Sequence, residues 1–215
     1  MRIFAFLDHA NIPLELFKNA AENYMKRDVD DEAHSNCPLS IRLFDHQTLF
    51  LSNNGIWEEM KLLTGIQLLI SFSFIEAHSQ LYSMHLLVHY WNRNRIPKSE
   101  INNIYQKTRA LLSCSIFASL DNHAFYRLIA PHIRSNALHA LELKLETTYY
   151  DDEYERFSLV FHHVGSWDEM ERLLSIMVHW RTTVLGVNHP KTHECIASLA
   201  STHRNQGRWD EAEKL

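Results

Sequence analysis

Residues 165–173 read GSWDEMERL and residues 207–215 read GRWDEAEKL. Six of the nine positions are identical, Arg172 and Lys214 form a conservative pair, and the offset is 42 residues. Self-similarity at that period is the mark of stacked helical units, each too small to bury its own apolar face. The surrounding residues agree. Tyr154, Phe157 and Phe161 are three and four apart, as are Ile196, Leu199, Ala200 and His203, so each set predicts one helical stripe. Gly165 and Gly207 follow these stripes, where a left-handed residue can close a helix. Trp167, Met170, Leu174 and Met177 predict the face of a second helix, which closes near Gly186. Asn188-His189-Pro190 then opens the next unit, because proline suits a first helical turn. The positions expected to carry the repeat are Gly165, Trp167, Leu173, Leu199, Ala200, Gly207, Trp209 and Ala212, with the small Ser158, Ala200 and Ala212 allowing close helix approach.

Five glycines and five prolines in 215 residues are too few for the tight turns of an all-β chain. The expected class is mainly α. A hydrophobic content of 46% argues for a packed core, and a formal net charge of −5 provides no basic field for nucleic acid. Cys37, Cys114 and Cys195 have no CxxC spacing and read as reduced thiols in a cytoplasmic setting. Neither the short apolar N-terminus nor Leu68–Ile75 is long enough to span a bilayer, so no membrane partner is expected.

In the N-terminal two thirds, Leu14, Phe17, Ala21, Tyr24 and Met25 predict a helix after Pro13. Residues 27–55 read as an acidic, turn-rich loop with limited structure around Leu39 to Leu51. Residues 56–70 predict a helix whose face carries Trp57, Met60, Leu63 and Gln67. Two short strands, 72–77 and 81–84, and a helix from His85 to Arg95 follow. Helix, helix, hairpin and helix outline a winged-helix-like domain.

LASTHRNQGRWDEAEKL and VLGVNHPKT resemble the tetratricopeptide (TPR) repeat in its 42-residue, kinesin-light-chain-like form. His203 stands where that pattern has an aromatic, and Met170 where it has alanine. FAFLDHANIPLELF, LLISFSFIEA and LYSMHLLVHYWNRNR resemble the winged-helix segment of fungal NLR-like signalling ATPases (STAND class, with an NB-ARC or NACHT domain). FYRLIAPHI resembles their helical linker. The resemblance implies a winged-helix-like domain over 1–96, a helical linker over 97–149, and the start of a TPR α-solenoid over 150–215. Met84-His85 matches the first two residues of the family's MHD motif, whose histidine senses a nucleotide, but position 86 is Leu. No GxxxxGK[ST] occurs, so the phosphate-cradling loop is missing and neither catalysis nor a cofactor is expected. The last unit stops part-way through its second helix, which suggests a fragment of a longer array.

His85 and His89 have the i, i+4 spacing of a zinc pair, but Leu86 replaces the glutamate of HExxH and no third ligand is evident, so packing is the expected role. His162, His163, His189 and His193 read as structural or surface residues, Cys114 as core, and Trp167 and Trp209 as packing anchors. Asp28, Asp30, Asp31 and Glu32 lack the glycine and terminal glutamate of an EF-hand and read as a solvated loop. The leading expectation is a non-catalytic interaction scaffold holding a protein or peptide, with self-association as a further option. A kinesin-light-chain-like cargo adaptor is one alternative. DNA binding through the winged helix is another, opposed by Glu58 and Glu59 beside the lone Lys61.

Overall fold

The computed structural model describes residues 2–25, 57–117, 122–145 and 148–215. The chain is mainly helical with one small sheet, and it divides into two compact units, Met1–Tyr150 and Asp151–Leu215. The expected loop over 27–55 and Cys37 lie outside the described residues.

The first unit begins with a 3-10 helix, Arg2–Phe6, followed by strand β1, Ile12–Pro13. Helix α1, Leu14–Met25, follows as expected and buries Leu14, Leu16, Phe17, Ala20, Ala21 and Tyr24. Helix α2 is Glu59–Ser71, later than the expected start at 56. Its inward face is Leu62 and Ile66, not the expected Trp57, Met60, Leu63 and Gln67; Met60 is 69% exposed. Among the described residues the helix packs mainly on one short strand, and its covered face is a narrow i, i+4 stripe.

Strands β2, Ile75–His78, and β3, Leu81–Met84, form a hairpin through Ser79 and Gln80, with Ser79 at φ 59°. The first strand starts three residues later than expected. Phe72 caps α2, and Ser73 at φ 57° turns the chain, with the Phe74 amide reaching back to the Leu69 carbonyl at 3.0 Å. β1 pairs antiparallel with the other side of β3, placing Ile12 opposite Tyr82 and Pro13 opposite Leu81, in the order β1-β3-β2. Proline is tolerated there because β1 is an edge.

Helix α3 runs Leu86–Asn94, α4 Lys98–Cys114 and α5 His123–Leu143. The 3-10 helix lies against α3, α4 and α5, and α1 lies against α4. Ala5, Phe6, Ile96, Ile104, Tyr105 and Ala140 form a core cluster in which the Phe6 and Tyr105 rings meet edge to face at 6.1 Å. Segment 97–149 therefore contributes to the core of the first unit. Cys114 is fully buried.

The second unit contains α6, Asp151–Val164; α7, Trp167–Val184; α8, Pro190–Asn205; and the short α9, Trp209–Ala212. Packing follows sequence order: α6 on α7, α7 on α8, α8 on α9.

Candidate functional site

The 42-residue recurrence is a recurrence of backbone geometry. At the end of α6, Gly165 has φ 71°, its amide donates to the His162 carbonyl at 3.1 Å, and the Ser166 amide donates to the Phe161 carbonyl at 2.9 Å. At the end of α8, Gly207 has φ 78°, its amide donates to the Arg204 carbonyl at 3.0 Å, and the Arg208 amide donates to the His203 carbonyl at 2.9 Å. The same reversal thus follows both helices, and glycine supplies its left-handed residue. Gly186 closes α7 at φ 94°, and Pro190 opens α8 behind the N-cap His189, whose ring accepts the Lys191 amide at 3.2 Å.

Met170, Leu174 and Met177 are buried on α7 as expected, while Leu173 and Trp167 are half-buried. The Trp167 ring meets His162 edge to face at 5.7 Å. Trp209, the equivalent position at the start of the four-residue α9, is 64% exposed. On α8 the buried face is Thr192, Cys195, Leu199, Thr202 and His203; Ile196 and Ala200 of the expected stripe are only half-buried, as is Ala212 on α9. Three polar residues thus sit inside. The Thr192 hydroxyl donates to the Gly186 carbonyl at 2.9 Å and the Thr202 hydroxyl to the Ser198 carbonyl at 2.8 Å, which satisfies these two locally.

Two charged constellations join these helices. Arg181 of α7, 3% exposed, grips Asp151 of α6 with Nε at 2.9 Å and Nη2 at 2.8 Å, reaches Glu155 at 3.3 Å, and donates through Nη1 to the Lys191 carbonyl of α8 at 3.0 Å. Burial by itself would weaken its hold on the proton, but the bonds and charge of Asp151, with Glu155, more than offset this and raise its pKa. Beside it, burial pushes the Cys195 thiol up to about 11, despite the opposing charge of Arg181. That thiol is inert at neutral pH. The second constellation centres on Glu171, whose Oε2 accepts from Arg208 at 2.7 Å and from Gln206 at 2.9 Å, with His203 Nδ1 at 3.9 Å from Oε1. The Arg208 hydrogen bond, outweighing partial burial, holds the Glu171 carboxyl below its usual range. Arg208 also pairs with Glu211.

In the first unit, Met84 points inward and His85 outward. His85 precedes α3 as its N-cap, accepting the Leu87 amide at 3.3 Å, so the expected helix from His85 begins one residue later. His89 is buried with Nε2 donating to the Phe4 and Leu7 carbonyls at 3.0 and 3.1 Å. The i, i+4 pair is therefore split between solvent and core. Among the described residues no group of three or more His, Cys, Asp or Glu side chains is placed to hold a metal ion. A cavity of about 140 Å³ lined by Glu15, Asn19, Glu22, Asn122 and the aromatic Phe117, Phe125 and Tyr126 is smaller than pockets that enclose organic ligands. No helix among the described residues is long and apolar enough to cross a membrane.

What the residue pattern did not announce is a run of buried histidines on α3 and α5. His132 and His139 flank the N-terminal segment with His89, and a backbone path from Phe4 to Asn11 threads between them. Their signal was present only as a spacing of seven on α5, obscured by a chain rich in histidine. No family model matches the chain, and no curated protein or solved structure matches it either.

Proposed function

We propose that the second unit is a non-catalytic docking module, a TPR-like stack that holds a peptide or a helix of a partner protein. The observation that carries this reading is the serial packing of α6, α7, α8 and α9, each chiefly on its sequence neighbour, with one reversal repeated after 42 residues. Such stacks leave extended faces open to a partner. Ile176, Val184, Val187 and Trp209 are exposed apolar side chains on this unit, suited to anchoring one. By resemblance, the wider role is ligand sensing or assembly in an NLR-like signalling system. The His85 position is read as a helix cap in a chain whose sequence carries no phosphate-cradling loop.

The test is selection of a displayed peptide library on the full chain, followed by binding measurements on surface variants. Ile176→Glu and Trp209→Glu each should weaken a selected peptide at least about tenfold, as truncation of an apolar anchor does. The circular dichroism spectrum should not change. Peptides indifferent to both changes would place the docking surface elsewhere and defeat the reading.

A further inference from the structure

The segment from Arg2 to Pro13 is held to the first unit by side chains of α3 and α5 that contact its backbone. His89 donates to the Phe4 and Leu7 carbonyls, the Ser135 hydroxyl to the Leu7 carbonyl at 3.2 Å, and the Asn136 amide to the Phe6 carbonyl at 3.3 Å. His132, 1% exposed, bridges two points further along: its Nδ1 accepts the Asp8 amide at 3.1 Å and its Nε2 donates to the Asn11 carbonyl at 3.3 Å.

Geometry fixes the protonation state of His132, and of His139, whose ring meets the Phe6 ring of the segment edge to face at 6.2 Å. A backbone N–H can only donate, so Nδ1 of His132 must offer a lone pair and the ring must be neutral. Arg93 Nη1 lies 2.5 Å from Nδ1 and 2.9 Å from Nε2 of His139. A guanidinium also only donates and keeps its proton, and a neutral imidazole offers it one lone pair, so one of the two nitrogens is the acceptor and His139 is likewise neutral. Protonation would set an N–H against the Asp8 amide in one case and a cation against Arg93 in the other. We propose that His132 and His139 form an acid-sensitive latch, holding the Arg2–Pro13 segment on α3 and α5 while neutral and loosening it when both gain a proton.

Glu142, 3.4 Å from His139 Nδ1, favours the proton, but it is 60% exposed at its side chain and is shared with Arg93 at 3.9 Å. The Asp8 carboxylate favours a proton on His132, but its Oδ1 accepts the Ala10 amide at 2.9 Å and lies 3.3 Å from His9 Nδ1. The His89 ring stands 6.1 Å from both the His9 and His139 rings, so charge on His139 also acts on His89. His89 meets only carbonyls at Nε2 and can keep those bonds when charged, which makes it the anchor of the latch. Burial lowers the pKa of His132, His139 and His89 alike, with Arg93 adding to the effect at His139 and His89.

Amide hydrogen exchange of the full chain at pH 7.5 and 5.5, corrected for intrinsic exchange, tests this. Exchange across Phe6–Ile12 should rise by a factor approaching about ten per histidine, since the opened ring regains an ordinary pKa. Peptides from α4 should remain more protected than the segment at both pH values. His132→Gln and His139→Gln, which keep hydrogen-bonding groups without titrating, should flatten the dependence. Should either variant misfold, imidazole NMR of the unaltered chain decides: both rings must titrate below 6.5, with exchange of the segment rising over the same range. Equal protection of the segment at both pH values, exchange of α4 as fast as that of the segment at pH 5.5, or ordinary titration of both rings would overturn the proposal.

Discussion

Arg181 shows how one side chain can be structural without being apolar. Its guanidinium is buried, but every face of it meets an acceptor on α6 or α8. Arg181→Met should destabilise the second unit by about 2–3 kcal/mol, because the Asp151 carboxylate loses its charge-assisted bonds to the guanidinium and the Lys191 carbonyl loses its donor. Adding Asp151→Leu should recover part of that loss, since the partly desolvated carboxylate is replaced by an apolar side chain. Urea unfolding of the three chains measures both. Nothing in the spacing of the sequence marks Arg181, as a basic residue near a helix C-terminus reads equally well as surface. The same holds for Thr192, Cys195 and Thr202. Their burial depends on the approach of α7, while apolar periodicity registers only Leu199.

At the level of elements, glycine effects separate by backbone angle. A Cβ at Gly65, Gly165 or Gly207 would meet nothing within 4 Å, so substitution is decided by conformation and not by space. Gly165→Ala and Gly207→Ala should each cost about 1–2 kcal/mol, the strain of a left-handed non-glycine residue. Gly65→Ala, inside α2, should instead stabilise by about 0.5–1 kcal/mol. Opposite shifts in thermal midpoint would confirm the split. Helix ends were legible in the sequence because glycine and proline act locally. Gly165, Gly186, Gly207 and Pro190 all stand where their chemistry places them. The face of α2 was not, because Trp57, Met60 and Leu62 are equally apolar and only the position of β2 chooses among them. Strand β1 escaped notice for a related reason: two residues carry no periodicity, and its existence depends on β3 arriving from 70 positions away.

For the whole molecule, acid should act on the two units in sequence. His89, His132 and His139 have folded pKa values lowered from 6.5, so the unfolded chain binds protons first. Their contribution is fully present above pH 6.5 and is lost as pH falls from there toward the folded values. In the second unit the lowered groups are Glu171 and Glu211, whose contribution persists until pH falls below the ordinary 4.5. Chemical denaturation at pH 7.5, 5.5 and 4.5, followed by exchange in each unit, should show the first unit weakening between 7.5 and 5.5 while the second holds. Loss of both in parallel would contradict it.

The Arg181 contact has a consequence for how that second unit comes apart. A linear stack of helices with only neighbour contacts can fray from an end, one member at a time. Here a residue of α7 is bonded at once to the first turn of α6 and to the first turn of α8. Losing either outer helix removes acceptors from Arg181 as well as apolar contact, so the half-melted stack costs more than its contact area alone implies. The three helices should therefore melt more cooperatively than a stack joined by apolar contacts alone.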